Sequence, residues 1–464
     1  MSSSAHDSRL RIPALIAVLG LVLAACGPAA TSPGTSPADG SPPAGSPDAG
    51  SPDAGSPGAG RLFMLSTQFE PITEAEGMRN TILADFDGDV DFQPQLGGPF
   101  SDALNAQHQA GSGQIDIAGG LHGDFAAFDP EVFADLSDLA GELAELGIPE
   151  NFLELGRLGT DKQIYIPWMQ ATYIMAARSE ALEHLPEGAD INSLTWQQVT
   201  EWGSNITDAT GGQRLGFPAR LGEPGGLIHR FFQGYAYPSF TGGVNTTFRS
   251  QEAVEMWEWL QDTWQYVNPQ ATSYSHMQEP LETGEVWVAW DHTSRLIEAL
   301  KADPENMVAF PSPSGPSGLG FMPVLAGLAI PATAPNPDGA RDLIRYLLRP
   351  ETQVVTLQTN AFFPVVEGAD PGELAPEIQL ELDAVSKQSA ADNTVPSLLP
   401  VGLGEFGGEY TKAFHDSFNA IILSAGDPAD VLEREAANLQ RVLDQAEAAC
   451  WPPDPPSDGV CQVQ

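Results

Sequence analysis

This sequence predicts a two-lobed α/β fold, on three observations. Between residues 62 and 124, extended apolar runs alternate with helical periods, the signature of a parallel sheet covered by helices. The segment able to bury a core, from Arg61 to Gln464, is long enough for two lobes. Three later stretches, 162–178, 322–330 and 360–366, join apolar and β-branched residues to a proline or glycine break, as connections passing between lobes would.

In chain order, Arg9 and Arg11 form a basic start and residues 12–23 an apolar run of secretory length, too short for a comfortable membrane span. The Leu23-Ala24-Ala25-Cys26 ending resembles the bacterial lipobox. Residues 1–25 are therefore expected to be a lipoprotein signal peptide and Cys26 the lipidated residue that ties the protein to a membrane, a plain cleaved secretory peptide being the alternative. Residues 26–60 carry Ser, Pro, Gly, Ala and a few Asp but no large apolar side chain, and read as a disordered tether.

The body opens with a strand at 62–65 and the polar loop Ser66-Thr67-Gln68. A helix over 72–86, a strand over 90–96, a helix over 101–110 and a strand over 115–118 follow, the last running into Gly119-Gly120-Leu121-His122-Gly123-Asp124. Ligands gather at the carboxyl ends of such strands, which makes the Gln68 and His122 loops candidate cleft walls. The stretch 162–178 breaks at Pro167 and leaves Trp168 and Gln170 at a crossing, with Tyr173 beyond; Trp168 would serve equally as a packed core ring.

Helical periods recur at 195–207, where Thr195 is placed to cap, and at 251–266 and 293–302. The segment 234–243, G-Y-A-Y-P-S-F-T-G-G, reads as an aromatic loop that offers Tyr237 to a docking molecule or covers a sheet edge. In 284–296, G-E-V-W-V-A-W-D-H-T-S-R-L, Trp290 and Asp291 fall where a strand meets a loop, and Thr293 is placed to cap the next helix. An indole beside a carboxylate suits sugars, the ring stacking on C–H faces and the carboxylate accepting from hydroxyls, with Arg295 as a further hydrogen-bonding group. Trp290 in the core and Asp291 in an ordinary turn is the competing reading.

With 62 acidic and 20 basic residues the net charge is −42, which argues against nucleic acid or an anionic lipid surface as partner. Cys450 and Cys461 are expected to pair around W-P-P-D-P-P as a disulfide staple of the tail, and no metal or cofactor is expected. A G-x-S-x-G elbow, an H-E-x-x-H motif and a fixed carboxylate pair are all missing from the sequence, which disfavours an enzyme.

The order L-F-M-L-S-T-Q, A-G-S-G-Q-I-D-I-A-G-G, Y-I-P-W-M-Q-A-T-Y-I-M, G-E-V-W-V-A-W-D, M-P-V-L-A-G-L-A-I, L-R-P-E-T-Q and N-A-F-F-P resembles the bacterial family 1 extracellular solute-binding proteins. These are the sugar-capturing lipoproteins of ABC importers that include the maltose-binding proteins. The resemblance implies a periplasmic-binding-protein-like fold with three hinge crossings. It places lobe I at 61–168 plus about 326–362, lobe II at 169–325 plus about 363–445, and a tail at 446–464.

It further implies a monomer that captures a mono- or oligosaccharide, is held on the outer face of the cytoplasmic membrane, and delivers its ligand to permease subunits. By position it carries ligand contacts onto Ser66, Thr67, Gln68, Gly120, His122, Asp124, Trp168, Trp290 and Gly327. The residues themselves add Gln170, Tyr173, Tyr237, Asp291 and Arg295. Ala177 and Arg178 stand where the family more commonly has asparagine and lysine. A receptor for a peptide or polyamine, and more distantly a secreted glycosidase, remain as alternatives.

Overall fold

The computed structural model describes residues 61–464 apart from 70–71, 96 and 223–224. The expected signal peptide, lipidated Cys26 and tether lie outside the described residues.

The first sheet starts from β1 (Leu62–Ser66), whose Leu62, Met64 and Leu65 are buried. It pairs in parallel with β2 (Val90–Pro94) and β3 (Ile117–Leu121), with the helices Ile72–Gly77 and Gly97–Ala110 in the connections. This is the predicted strand–helix alternation. The next strand, β4 (Ile166–Ala171), is followed after the single residue Thr172 by β5 (Tyr173–Arg178), and the two belong to different sheets.

The second sheet holds β6 (Leu215–Gly216), β7 (Val288–His292) and β8 (Met307–Phe310), in the order β6-β7-β5-β8. After β9 (Leu319–Phe321) the chain returns to the first sheet as β10 (Val324–Ala329), antiparallel to both β3 and β4, for a final order β2-β1-β3-β10-β4. A short β11 (Thr394–Pro396) pairs with β9.

The three crossings are tied to one another. Thr172 Oγ1 donates to the Met322 carbonyl at 2.9 Å, joining the first to the second. Gln170 and Phe363 exchange backbone hydrogen bonds of 3.0 and 2.7 Å, joining the first to the third. Gln388 adds a clamp, its amide donating to the Tyr173 carbonyl at 3.0 Å and accepting from the Ser312 N–H at 2.7 Å.

Thr195 caps the helix Trp196–Thr210 in a capping box with Gln198. Two local expectations are corrected. The aromatic segment after Phe231 is helical, as a wide turn over Phe232–Ala236 and a helix over Tyr237–Thr241 that stops at left-handed Gly242. Its rings all found packing partners: Phe232 lies 4.5 Å from Trp257, Tyr237 5.5 Å from Phe248, and Phe240 5.2 Å from Trp259. Burial of that many rings overrides the turn chemistry of the glycines and proline, and Pro238 fits because the first turn needs no N–H from it. After β7, His292 and not Thr293 caps the turn, its Nδ1 accepting from the Ser294 N–H at 3.2 Å.

At the far end Cys450 and Cys461 are joined by a disulfide. The Asp454 carboxylate between them accepts backbone N–H groups of Val244, Asn245 and Thr246 at 2.8 to 3.0 Å. Among the described residues no helix is long and apolar enough to cross a membrane.

Candidate functional site

Polar side chains collect where β1 and β3 end. Thr67 Oγ1 donates to Asp124 Oδ2 at 2.7 Å, the Leu121 N–H donates to the same oxygen at 2.9 Å, and Gln68 Nε2 donates to Thr67 Oγ1 at 3.2 Å. Ser66 sits behind them, its Oγ accepting the Gln68 N–H at 3.0 Å. Burial raises the Asp124 pKa, and the bonds from Thr67 and Leu121 together with the Arg230 charge pull it back.

His122 turns inward. It is 7% exposed, its Nδ1 lies 2.9 Å from the Tyr165 hydroxyl, and burial lowers its pKa to about 4, so a neutral imidazole is packed against a phenol where a ligand contact was expected. Gly120 and Gly327 are close-packing positions. A Cβ at Gly120 would stand 3.3 Å from the Phe125 ring, and one at Gly327 2.1 Å from the Tyr165 ring.

The opposite wall is aromatic. Trp290 stacks on Tyr173 with centroids 4.9 Å apart and planes 4° from parallel, and Phe231 and Tyr235 each meet Trp290 edge-on at 5.2 Å. Trp290 is 0% exposed, which corrects the expectation that its face is offered to a sugar. Trp168 is equally buried, edge-on to Phe69 at 5.9 Å. Tyr237 is buried elsewhere, its hydroxyl donating to the Phe248 carbonyl at 3.0 Å and accepting from Trp257 Nε1 at 3.1 Å.

Asp291 is a structural acceptor, taking the His292 N–H on Oδ1 at 2.8 Å and the Met277 N–H on Oδ2 at 2.9 Å. Desolvation lifts its pKa to about 6 against the pull of Arg295 and of those two bonds. Buried His292 is pushed down to about 3 by desolvation and by Arg295.

Half-buried Arg295 donates to the Ser275 carbonyl at 3.1 Å. Half-buried Arg230 donates to Gln233 Oε1 at 2.9 Å, and its charge reaches both Asp124 and Tyr173. The sequence reading missed Arg230. An arginine amid I-H-R-F-F in a chain this acidic was the available signal.

Between the walls Gln170 Nε2 donates to the Pro364 carbonyl at 3.1 Å, and the Phe362 ring lies 5.2 Å from Phe69 and 5.9 Å from His292, touching both sides. The structure thus groups Thr67, Gln68 and Asp124 on one side and Tyr173, Asp291 and Arg295 on the other, and leaves Tyr237 apart. Among the described residues no group of three or more His, Cys, Asp or Glu is arranged for a metal ion.

Two sheets joined by three interlocked crossings, with polar strand ends of one lobe set against rings and arginines of the other, define a two-lobed binding protein. The chain belongs to the family of bacterial extracellular solute-binding proteins, whose model matches residues 72–354.

Among solved structures it is similar to maltose-bound MalE3 of T. maritima, with 18% identity over 83% of this chain and 100% of that one and a TM-score of 0.67. The GacH receptor of Streptomyces glaucescens, solved with acarbose, gives 16% identity over 83% and 99% at a TM-score of 0.65. UgpB from Mycobacterium tuberculosis, in complex with glycerophosphocholine, gives 18% over 84% and 99% at 0.64. No curated protein matches in sequence.

Proposed function

We propose that the protein captures a sugar between its lobes and delivers it to the permease subunits of an ABC importer, as a monomeric carrier that leaves the sugar chemically unchanged. Lipid on Cys26 would hold it on the outer face of the cytoplasmic membrane, the segment 26–60 acting as a leash. The carrying observation is the arrangement around Thr172. Strands of two sheets meet there through one residue, and polar side chains from both lobes, Thr67, Gln68 and Asp124 against Tyr173, Arg230 and Arg295, converge beside it.

A solute bridging these groups binds the closed form better than the open one and so shifts the population toward closure. Sugar ligands of the MalE3 and GacH structures agree with this reading, and the glycerophosphocholine of UgpB keeps a non-sugar solute in view.

The test is calorimetric titration of the full chain with mono- and disaccharides, combined with small-angle scattering. One-to-one binding of a sugar with compaction and no product is the expected result. Sugar breakdown, or binding without compaction, overturns the reading.

A further inference from the structure

We infer that the captured solute carries an anionic group, a carboxylate or phosphate on a polyhydroxyl body, and that Arg230 and Arg295 hold that group. This rests on the reading of the cleft as the solute site.

With 62 acidic against 20 basic residues, a cation in this chain finds a carboxylate easily. Cations spread over the surface have done so, among them Arg157 with Glu150 at 2.8 Å, Arg341 with Asp138 at 3.0 Å and Arg345 with Glu142 at 2.7 Å. Others lie over rings, as Arg79 does over Phe92 and Arg349 over Tyr346.

Arg230 and Arg295 do neither. Each makes a hydrogen bond to a neutral oxygen, and no carboxylate of a described residue comes within 4.0 Å of either guanidinium. None of their nitrogens is a buried unpartnered atom, so the unused N–H groups of both forks face solvent.

The neighbouring acids are committed differently. Both oxygens of Asp291 accept backbone N–H groups, and Oδ2 of Asp124 serves Thr67 and Leu121. Both oxygens of Asp291 and one of Asp124 are therefore held by the protein's own donors, while the guanidiniums keep N–H groups that no carboxylate of a described residue accepts. The histidines at hand are His229, His276, His292 and His415, the last 3.3 Å from His229. Burial holds each below its usual range, so at neutral pH they add no charge.

Both arginines stand next to this aromatic block in the chain: Arg230 directly precedes Phe231, whose ring packs on Trp290, and Arg295 ends the turn after β7, the strand whose Trp290 stacks on Tyr173. Burial raises the Tyr173 hydroxyl to about 12, and the opposing pulls of Arg230 and then Arg295 both act on it. A planar fork of N–H donors matches the two oxygens of a carboxylate or phosphate, and two guanidiniums whose charges both reach one phenol make a site a neutral sugar does not require.

The test is titration of the full chain with glucose, glucuronate, glucose 6-phosphate and glycerol 3-phosphate, at two salt concentrations. The expected result is that at least one acid binds at least about 100-fold tighter than glucose, more weakly at high salt. Arg230→Gln and Arg295→Gln should each weaken it about tenfold or more. Arg230→Lys, which keeps the charge but not the fork, should fall between, with the thermal midpoint of every ligand-free variant unchanged. The favoured acid tells carboxylate from phosphate.

Glucose binding as tightly as the acids overturns the anionic requirement and leaves the sugar-receptor reading standing. Acid binding that survives Arg230→Gln and Arg295→Gln together overturns the assignment of the holding residues. Silence toward all four overturns the inference, and if no solute compacts the protein in scattering the receptor reading fails as well.

Discussion

The two walls of the cleft use the same kinds of residue in opposite ways. On the first-sheet side the polar groups Thr67, Gln68 and Asp124 bond to one another at the strand ends, and the rings lie behind them. On the second-sheet side Tyr173, Trp290, Phe231 and Tyr235 form a packed block, and the arginines stand beside it with donors to spare. Self-bonded polar groups make a preorganised surface, whereas arginines beside a rigid block make a charged one. The contrast teaches that an aromatic residue at a strand end is as much a foundation as a contact, and that its burial decides which.

Four measurements probe the two walls, beginning with the one expected to cost most. If the second wall is foundation, Trp290→Ala should destabilise the fold by about 3–5 kcal/mol in denaturant unfolding, because it empties a fully buried ring site. A variant that keeps its stability and loses only ligand affinity would return Trp290 to the role of sugar platform.

Asp291 tests the same wall through pH. Its folded pKa, about 6, lies above the ordinary 3.8, so its contribution is fully present below 3.8 and is lost as pH rises through about 6. The change amounts to about 3 kcal/mol. Unfolding of Asp291→Asn should lack that part of the slope between pH 4 and 6, and identical slopes for the two proteins would remove Asp291 from the account.

On the first wall, Gly327→Ala pushes a methyl group against the buried Tyr165 ring, itself stacked on Phe125, and should cost about 1–3 kcal/mol. A neutral result would mean that β10 can slide. Smallest of all, Thr67→Val removes the bonds with Asp124 and Gln68 at the cleft surface and should cost about 1 kcal/mol. A much larger loss would make that wall foundation as well.

Much of the fold was legible. The strand–helix alternation after Leu62, the cap at Thr195 and the three crossings each carry a local chemical signature that packing reinforces. The site was legible only where geometry follows from backbone, as in the loop after β1, which must emerge at a strand end. The roles of Trp168, Tyr237 and Trp290 were not, because an indole or phenol in a sequence carries no mark of whether its face is covered. Phe69 lies 99 residues before Trp168 and Tyr173 lies 117 before Trp290, while the partner of Tyr237, Phe248, comes from a neighbouring loop. The role of Arg230 was not legible because it depends on folding, which sets its charge near Asp124 and Tyr173 with no carboxylate of a described residue paired to it.

The ties among the crossings at Thr172, Met322, Gln170 and Phe363 also have a mechanical side. Three separate strands could each flex on their own, and a receptor hinged that way would wander through many half-open shapes. Fastened to one another beside a single linking residue, they act as one spine, like the binding of a book, with few soft torsions to freeze when the covers meet. Binding energy is then directed into the grip on the solute and little of it goes into ordering the joint.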